Sequence, residues 1–431
     1  MNKVGVVSLG CSKNAVDTEK LLWMLTSSGF EIVSDPEQAE IIIVNTCGFI
    51  VPAKEESIGT IFEMAQYKTE GSCELLIVTG CLSERYRREL AEEMPEVDMF
   101  YGVREYGRLV NELAKRCGKP APEAACARRI MTTPPHRGYL RVGDGCDNRC
   151  TYCAIPLIRG GRSSEPMEKL LDEAKWMAES GVKEIEVIAQ DTTGYGTDIY
   201  GKPMITELLK ALCDIDGIEW IRLLYTYPST VTEELIDLMA ESGKIVNYID
   251  MPIQHINREL LLAMNRHGSR EHIEHIIKYI RSKSEKFVIR TTAIVGFPGE
   301  TEEQFEELLD FLEKNPIDRL GAFTYSAEDD TPAAEFDGQI DEAVKEERLD
   351  RLYRQQQRIS RLLNERRIGD TERVIVEGMD GTTAFCRSYA ETADIDGSII
   401  VGEVSASTKV GDFINVRLTG ADEYDIYGEQ I

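Results

Sequence analysis

The chain has 431 residues, 42% of them hydrophobic and 29% charged, enough for two or three domains with substantial cores. It has no apolar run of about 18 residues and opens on no signal-peptide pattern, so no membrane partner and a cytoplasmic location are expected. Lys and Arg number 49 against 76 Asp and Glu, a net charge of −27. This argues against a grip on nucleic-acid phosphates and favours a basic partner.

Residues 1–118 alternate short apolar runs with amphipathic stretches. "KVGVVSLG", "EIIIVNT" and "ELLIVTG" read as strands, and "DTEKLLWMLTSSG", "AKEESIGTIFEMAQYK" and "ERYRRELAEEM" as helices. The pattern predicts a doubly wound α/β domain on a parallel sheet. Residues 119–136 carry four prolines and no periodicity, and read as a linker. From 137 the βα pattern returns. "GYLRV", "EIEVIAQ", "WIRLLYT", "NYIDMPI", "FVIRTTAIV" and "RLGAFTYS" are six strands, which suggests a partial βα barrel. Polar residues gather at the predicted strand ends: Gln190, Asp191, Thr226, Gln254, His255, Arg290 and Ser326. A long charged helix follows over 341–369, so this second domain with its trailing helix spans 137–368. Five short strands over 369–431 predict a small β-barrel of the oligonucleotide-binding sort.

Eleven cysteines in a reducing compartment point to metal or redox work, not to disulfides. Cys146, Cys150 and Cys153 form a C-x3-C-x2-C loop after the first barrel strand. Structural zinc takes four ligands, commonly from two paired knuckles. No second knuckle lies nearby and His136 is the one local imidazole. A 4Fe-4S cluster is also held by thiolates, and three of them leave one iron open for a small molecule. Cys11, Cys47 and Cys81 each follow a strand of the first domain. In a parallel sheet these strand ends share one edge, so three thiols can converge there. Packing as small buried residues is the alternative. Cys73, Cys117, Cys126, Cys213 and Cys386 share no such pattern and read as structural.

The C-x3-C-x2-C loop in this setting resembles the radical S-adenosylmethionine superfamily. "SLGCSKNAVDTE", "VNTCGFI", "VTGCL", "GCDNRCTYCAIP" and "VGFPGETEE", followed by a terminal barrel, are similar to the methylthiotransferase family over nearly the whole chain. The resemblance implies two 4Fe-4S clusters, one on Cys11, Cys47 and Cys81 and one on Cys146, Cys150 and Cys153. It implies S-adenosylmethionine as cofactor, an electron donor as partner, and insertion of a methylthio group into a carbon–hydrogen bond. Tyr152 matches the family's aromatic near the adenine. Gln190, Gln254 and Arg290 are candidates for the methionine end of the cofactor, with hydrogen bonding inside the barrel as the even alternative. Gly296 and Gly299 in "VGFPGE" suggest either a close approach of backbone to the cofactor or an isolated turn.

The family divides between enzymes acting on adenosine in transfer RNA and enzymes acting on an aspartate of small-subunit ribosomal protein twelve. The terminal barrel, called TRAM in this family, has 13 acidic and 4 basic residues, net −9. An acidic barrel suits a basic protein loop and makes transfer RNA unlikely as a partner. "CGFIVPAKEESI" and "DRLGAFTYSAEDDTPAA" resemble the protein-modifying branch. The transfer-RNA branch, and a non-catalytic cluster carrier, stand as the alternatives.

Overall fold

The structure, a computed structural model, describes residues 2–122 and 128–431. Cys126 and part of the expected linker lie outside the described residues.

The first sheet has order β2-β1-β3-β4-β5, all parallel. Its elements are β1 (Lys3–Ser8), α1 (Ser12–Ser27), β2 (Glu31–Ile32), β3 (Ile41–Thr46), α2 (Val51–Glu70), β4 (Leu75–Gly80), α3 (Cys81–Glu93), β5 (Met99–Phe100) and α4 (Tyr106–Cys117). β3 and β4 are buried along their whole length, because side chains alternate between two covered faces. Ile41, Ile43, Leu75 and Ile77 pack with Leu21, Leu25 and Leu109 from α1 and α4. Ile42, Val44, Leu76 and Val78 pack with Ile61, Met64, Leu82 and Leu90 from α2 and α3. The edge strands β2 and β5 have two residues each, too short to leave a periodic signal in the sequence.

The second sheet has six parallel strands in the order β13-β12-β11-β10-β9-β6, an open partial barrel. These are β6 (Arg137–Arg141), β9 (Glu184–Ile188), β10 (Trp220–Leu223), β11 (Ile245–Asp250), β12 (Val288–Val295) and β13 (Arg319–Thr324). Between β6 and β9 a short antiparallel pair, β7 (Gly143–Asp144) and β8 (Ser163–Ser164), brackets α5 (Ile155–Arg159). The remaining helices are α6 (Met167–Glu179), α7 (Thr197–Tyr200), α8 (Ile205–Cys213), α9 (Glu233–Glu241), α10 (Arg258–Ala263), α11 (Arg270–Lys283), α12 (Glu302–Lys314) and α13 (Glu342–Glu365). One face of the strands, including Leu140, Ile185, Val187, Ile221 and Ile249, joins α6, α8, α9, α11 and α12 in the main core. The alternate positions Arg137, Glu184, Glu186 and Arg222 are buried as well.

The last domain is a closed barrel of β14 (Thr371–Asp380), β15 (Thr383–Arg387), β16 (Ile399–Gly402), β17 (Phe413–Ala421) and β18 (Ile426–Gln430), ordered β14-β15-β16-β18-β17. Its segment 387–396 supplies the partners of the buried charges in the second sheet. Arg387 binds Glu184, and Arg222 donates to Glu184 at 2.9 Å and to the Tyr389 carbonyl at 2.8 Å. Arg137 donates to Asp394 at 2.6 Å, and Tyr248 to Asp396 at 2.7 Å. These contacts close the end of the partial barrel where most strands begin. The opposite end, where strands finish, is left for the cysteine loop.

Candidate functional site

Cys11 is the residue before α1, Cys47 follows β3, and Cys81 opens α3. Since β1, β3 and β4 are adjacent and parallel, the three thiols meet at one sheet edge. Two glycines allow the approach. Gly10 has φ +85°, and a Cβ there would meet Cys47 Sγ at 3.0 Å. Gly80 has φ +96°, and a Cβ there would meet Asn45 Oδ1 at 2.4 Å and the Thr46 carbonyl at 2.5 Å. Asn14 ties the edge together, donating to the carbonyls of Leu9 and Thr46, both at 2.9 Å. Burial pushes the Cys81 thiol up to about 12 and raises that of Cys47. Such thiols keep their protons until a cationic metal centre displaces them.

Cys146, Cys150 and Cys153 line the loop between β7 and α5. Thr151 pins this loop, its N–H donating to the Met264 carbonyl at 3.1 Å and its hydroxyl to the Ala263 carbonyl at 2.8 Å. Burial raises the Cys146 thiol and pushes Cys153 up to about 12. Arg266, 7% exposed, donates to Tyr152 Oη at 3.2 Å and stands 4.0 Å from Cys150 Sγ. Its guanidinium carbon lies 4.5 Å from the centre of the Tyr227 ring. The loop therefore has a fixed cation beside one thiol and an oriented aromatic beside another.

Arg159, at the end of α5, joins the two cysteine sets. It donates to both oxygens of Asp144 at 3.1 Å on the barrel side. On the other side it donates to Asn14 at 2.7 Å and Asp17 at 2.9 Å, and stands 3.6 Å from Cys81 Sγ. Burial opposes its charge, but Asp17, Cys81 and Asp144 outweigh it and its pKa is raised. Arg141 adds a second link to Asp17 at 2.5 Å. Lys54 and Arg85 reach Glu328 at 2.9 and 3.1 Å, a third tie between the domains.

Family models match this chain in three segments: the Uncharacterized protein family UPF0004 over residues 3–102, the Radical SAM superfamily over 140–312, and the TRAM domain over 368–431. The chain is 46% identical over 447 aligned residues to the ribosomal protein uS12 methylthiotransferase RimO of Acetivibrio thermocellus, covering 100% of this chain and 98% of that one. The chain belongs to the RimO family. The RimO of Clostridioides difficile is 44% identical, with 100% and 99% covered. The RimO of Alkaliphilus oremlandii is 45% identical, with 99% and 98% covered. Among solved structures, the radical S-adenosylmethionine methyltransferase TsrM of Kitasatospora setae superposes with a TM-score of 0.55. Its identity is 16% over 77% of each chain, a likeness of fold alone.

Against this RimO-family frame, the other expected site residues divide. Gln190 follows β9 and donates to Asp144 at 2.9 Å, leaving its carbonyl oxygen buried without a hydrogen bond. Gln254 adopts φ +68° and bridges to Ala293, and its side-chain oxygen is likewise buried and unpaired. Two orphaned acceptors near the strand ends fit a ligand that brings donors. Arg290 lies three residues into β12 and already donates to Asp250 at 2.8 Å. Gly296 has φ +73°, but a Cβ there would meet Lys345 Cγ of α13 at 2.3 Å. Its bare face therefore accommodates α13. His136 binds Glu377 of the terminal barrel at 2.9 Å and belongs to the domain interface. Cys73 and Cys386 are buried in their domain cores.

The donor set fits the clusters. Each set offers three thiols and no other ligand type, the donor chemistry that a 4Fe-4S cluster takes, with one iron left open. A 4Fe-4S cluster spreads its thiolates over separate irons, so its ligands stand further apart than those of one zinc. Lys13, Asn14, Asp17, Arg159 and Arg266 are the site residues that motif spacing did not single out. Their signal is mutual contact across the chain, which a linear pattern does not carry.

Proposed function

We propose that the protein transfers a methylthio group to the β-carbon of an aspartate in ribosomal protein uS12, by radical S-adenosylmethionine chemistry. The observation that carries this is the pair of three-cysteine sets joined through Arg159, in a chain alike over its full length to RimO proteins. Cys146, Cys150 and Cys153 would hold the 4Fe-4S cluster that supplies a reducing electron for S-adenosylmethionine, and Cys11, Cys47 and Cys81 would hold the one that supplies sulfur. In this reading residues 1–118 carry the sulfur site, 137–368 the radical site, and 369–431 the TRAM barrel, with 119–136 as linker.

The chain's own side chains bind and orient. Arg266 fixes Tyr152 beside the cysteine loop. Gln190 and Gln254, whose side-chain oxygens are buried and unpaired, would offer acceptors to the methionine end of the cofactor. Asp144 holds Gln190 and Arg159 together, so the cofactor pocket and the sulfur site share one anchor. Val16, Ile188, Trp220, Leu224 and Tyr248 pack with Ile375 and Ala390 of the terminal barrel, which excludes water from below. An external electron donor completes the reaction, and work on a ribosomal protein suits the cytoplasm. Among the described residues no helix is long and apolar enough to cross a membrane.

The charge of the terminal barrel favours the ribosomal protein over transfer RNA. Of its four basic residues, Arg387 is buried against Glu184, Arg373 pairs with Glu219 at 3.0 Å, and Arg417 faces Glu429 at 3.4 Å. Little positive charge is left to neutralise phosphates. The test is competition binding of fluorescent uS12 loop peptide against unlabelled transfer RNA at physiological salt. Displacement by uS12 but not by transfer RNA is expected. Salt-sensitive displacement by transfer RNA would overturn the substrate choice.

A further inference from the structure

Lys13 begins α1, two residues after Cys11, and is 5% exposed. Its ammonium lies 2.8 Å from the centre of the Tyr225 ring. It has no hydrogen bond and no ion pair among the described residues. The other buried and half-buried cations that face the cysteine loops are engaged, whereas Arg149 in the second loop is exposed. Arg159 and Arg141 bind Asp17, Arg162 binds Asp191, and Arg290 binds Asp250. Arg266 is held by Tyr152 and the Pro252 carbonyl. The carboxylates whose charge reaches Lys13 are Asp250 and Asp144, and both already have arginine partners.

An ammonium on a side chain only 5% exposed, with no anion beside it, is costly, and the little solvent contact it keeps leaves room for an anion to enter. The position is specific. Lys13 shares its helix start with Cys11, its carbonyl accepts from Arg141 of β6 at 3.4 Å, and its ammonium lies over the ring of Tyr225, just past β10. It therefore stands between the two cysteine sets. Cys11 brings the nearest negative charge; of the groups that enter from outside, the substrate side chain carries a carboxylate whose carbon is bonded directly to the reacting β-carbon. We propose that Lys13 is the substrate-binding residue that pairs with the carboxylate of the target aspartate and so selects aspartate over uncharged side chains. This rests on the uS12 reading above. Holding the carboxylate fixes the β-carbon one bond away, within the gap that separates the sulfur site from the radical site. Ser12 supports the arrangement by reaching Tyr225 Oη at 3.5 Å, which steadies the ring under the ammonium.

The test compares two peptides of the uS12 loop, one with the target aspartate and one with asparagine in its place. Binding is measured by fluorescence anisotropy on the reconstituted protein with S-adenosylmethionine, without oxygen. The wild-type protein is expected to prefer the aspartate peptide by about thirtyfold or more. Lys13→Gln is expected to bind both peptides equally, and Lys13→Arg to keep the preference. A preference that survives in Lys13→Gln overturns the proposal. So does a Lys13→Gln protein with weakened S-adenosylmethionine binding and intact peptide preference, which assigns Lys13 to the cofactor's carboxylate. If Lys13→Gln loses iron, the wild-type protein decides. Carbodiimide coupling is then expected to join the peptide aspartate to Lys13 by an amide seen in mass spectrometry, and coupling elsewhere or none overturns the proposal. A wild-type protein that binds neither peptide overturns the uS12 reading itself, and the role of Lys13 with it.

Discussion

Replacing Arg159 by Met tests whether the two cysteine sets are held as one unit. The side chain is 1% exposed and donates four hydrogen bonds of 2.7 to 3.1 Å to Asp144, Asn14 and Asp17. Removing one partner of a buried ion pair costs about 3–5 kcal/mol, mostly from the charge left behind. Here Asp17 keeps Arg141, and Asp144 keeps Gln190 and partial solvent contact. The expected loss is therefore at the lower end, about 3 kcal/mol. Urea unfolding followed by tryptophan fluorescence measures it, since Trp23 sits in α1 and Trp176 and Trp220 in the barrel domain. The first transition is the one that is expected to move, because domains can unfold separately. The same variant is expected to lose methylthio transfer more than 5′-deoxyadenosine formation, because the Arg159 guanidinium stands 3.6 Å from the Cys81 thiol and reaches the second loop only through Asp144. A stability change below about 1 kcal/mol, the size of an exposed pair, would refute the buried-bridge argument.

Other perturbations follow from the same geometry. Gly80→Ala forces a Cβ into Asn45 and Thr46 at a φ of +96°; a loss of about 2 kcal/mol or more and fewer irons per chain are expected, from thermal unfolding and iron analysis. Cys146→Ala is expected to abolish 5′-deoxyadenosine formation, whereas Cys81→Ala keeps it and loses methylthio transfer, with iron falling from about eight to about four per chain in each. Glu186 is 2% exposed, and burial, then the charge of Glu184, push its carboxyl up to about 7. A carboxyl raised in the folded state destabilises once it must ionise: the cost is absent below its unfolded value of about 4.3 and is complete above 7. Glu186→Gln is therefore expected to gain about 1–3 kcal/mol at pH 8 and almost nothing near pH 4, read from melting temperatures at both pH values. Arg387→Met, which leaves Glu184 with Arg222 alone, is expected to loosen the terminal barrel and expose the 387–396 segment to limited proteolysis.

The longer strands and the six cysteines were legible in the sequence. Short apolar runs in parallel sheets are buried on both faces, so a cysteine just after each of three runs falls at the shared edge, while Cys146, Cys150 and Cys153 declare themselves by spacing within one loop. What the sequence hid were side chains whose partners are far away in the chain. Arg159 in "PLIRGG" reads as an ordinary basic residue at a helix end, yet its partners Asn14 and Asp17 are more than 140 positions earlier. Glu184 and Glu186 alternate with apolar residues in "EIEVI", yet both are buried, and Arg387 reaches Glu184 from 203 positions later. Lys13 read as part of a motif, because nothing local reveals that it is buried and unpaired. Gly296 showed the need for a turn but not the neighbour, Lys345, that uses its bare face.

The most direct measurement is anaerobic turnover. The iron- and sulfide-reconstituted protein is given a reductant, S-adenosylmethionine and a peptide of the uS12 loop, and the products are read by mass spectrometry. A methylthio group on the peptide's aspartate, absent with Cys11→Ala and with Cys150→Ala, is the predicted result. Formation of 5′-deoxyadenosine with an unmodified peptide, and a methylthio group instead on adenosine of added transfer RNA, would contradict the account.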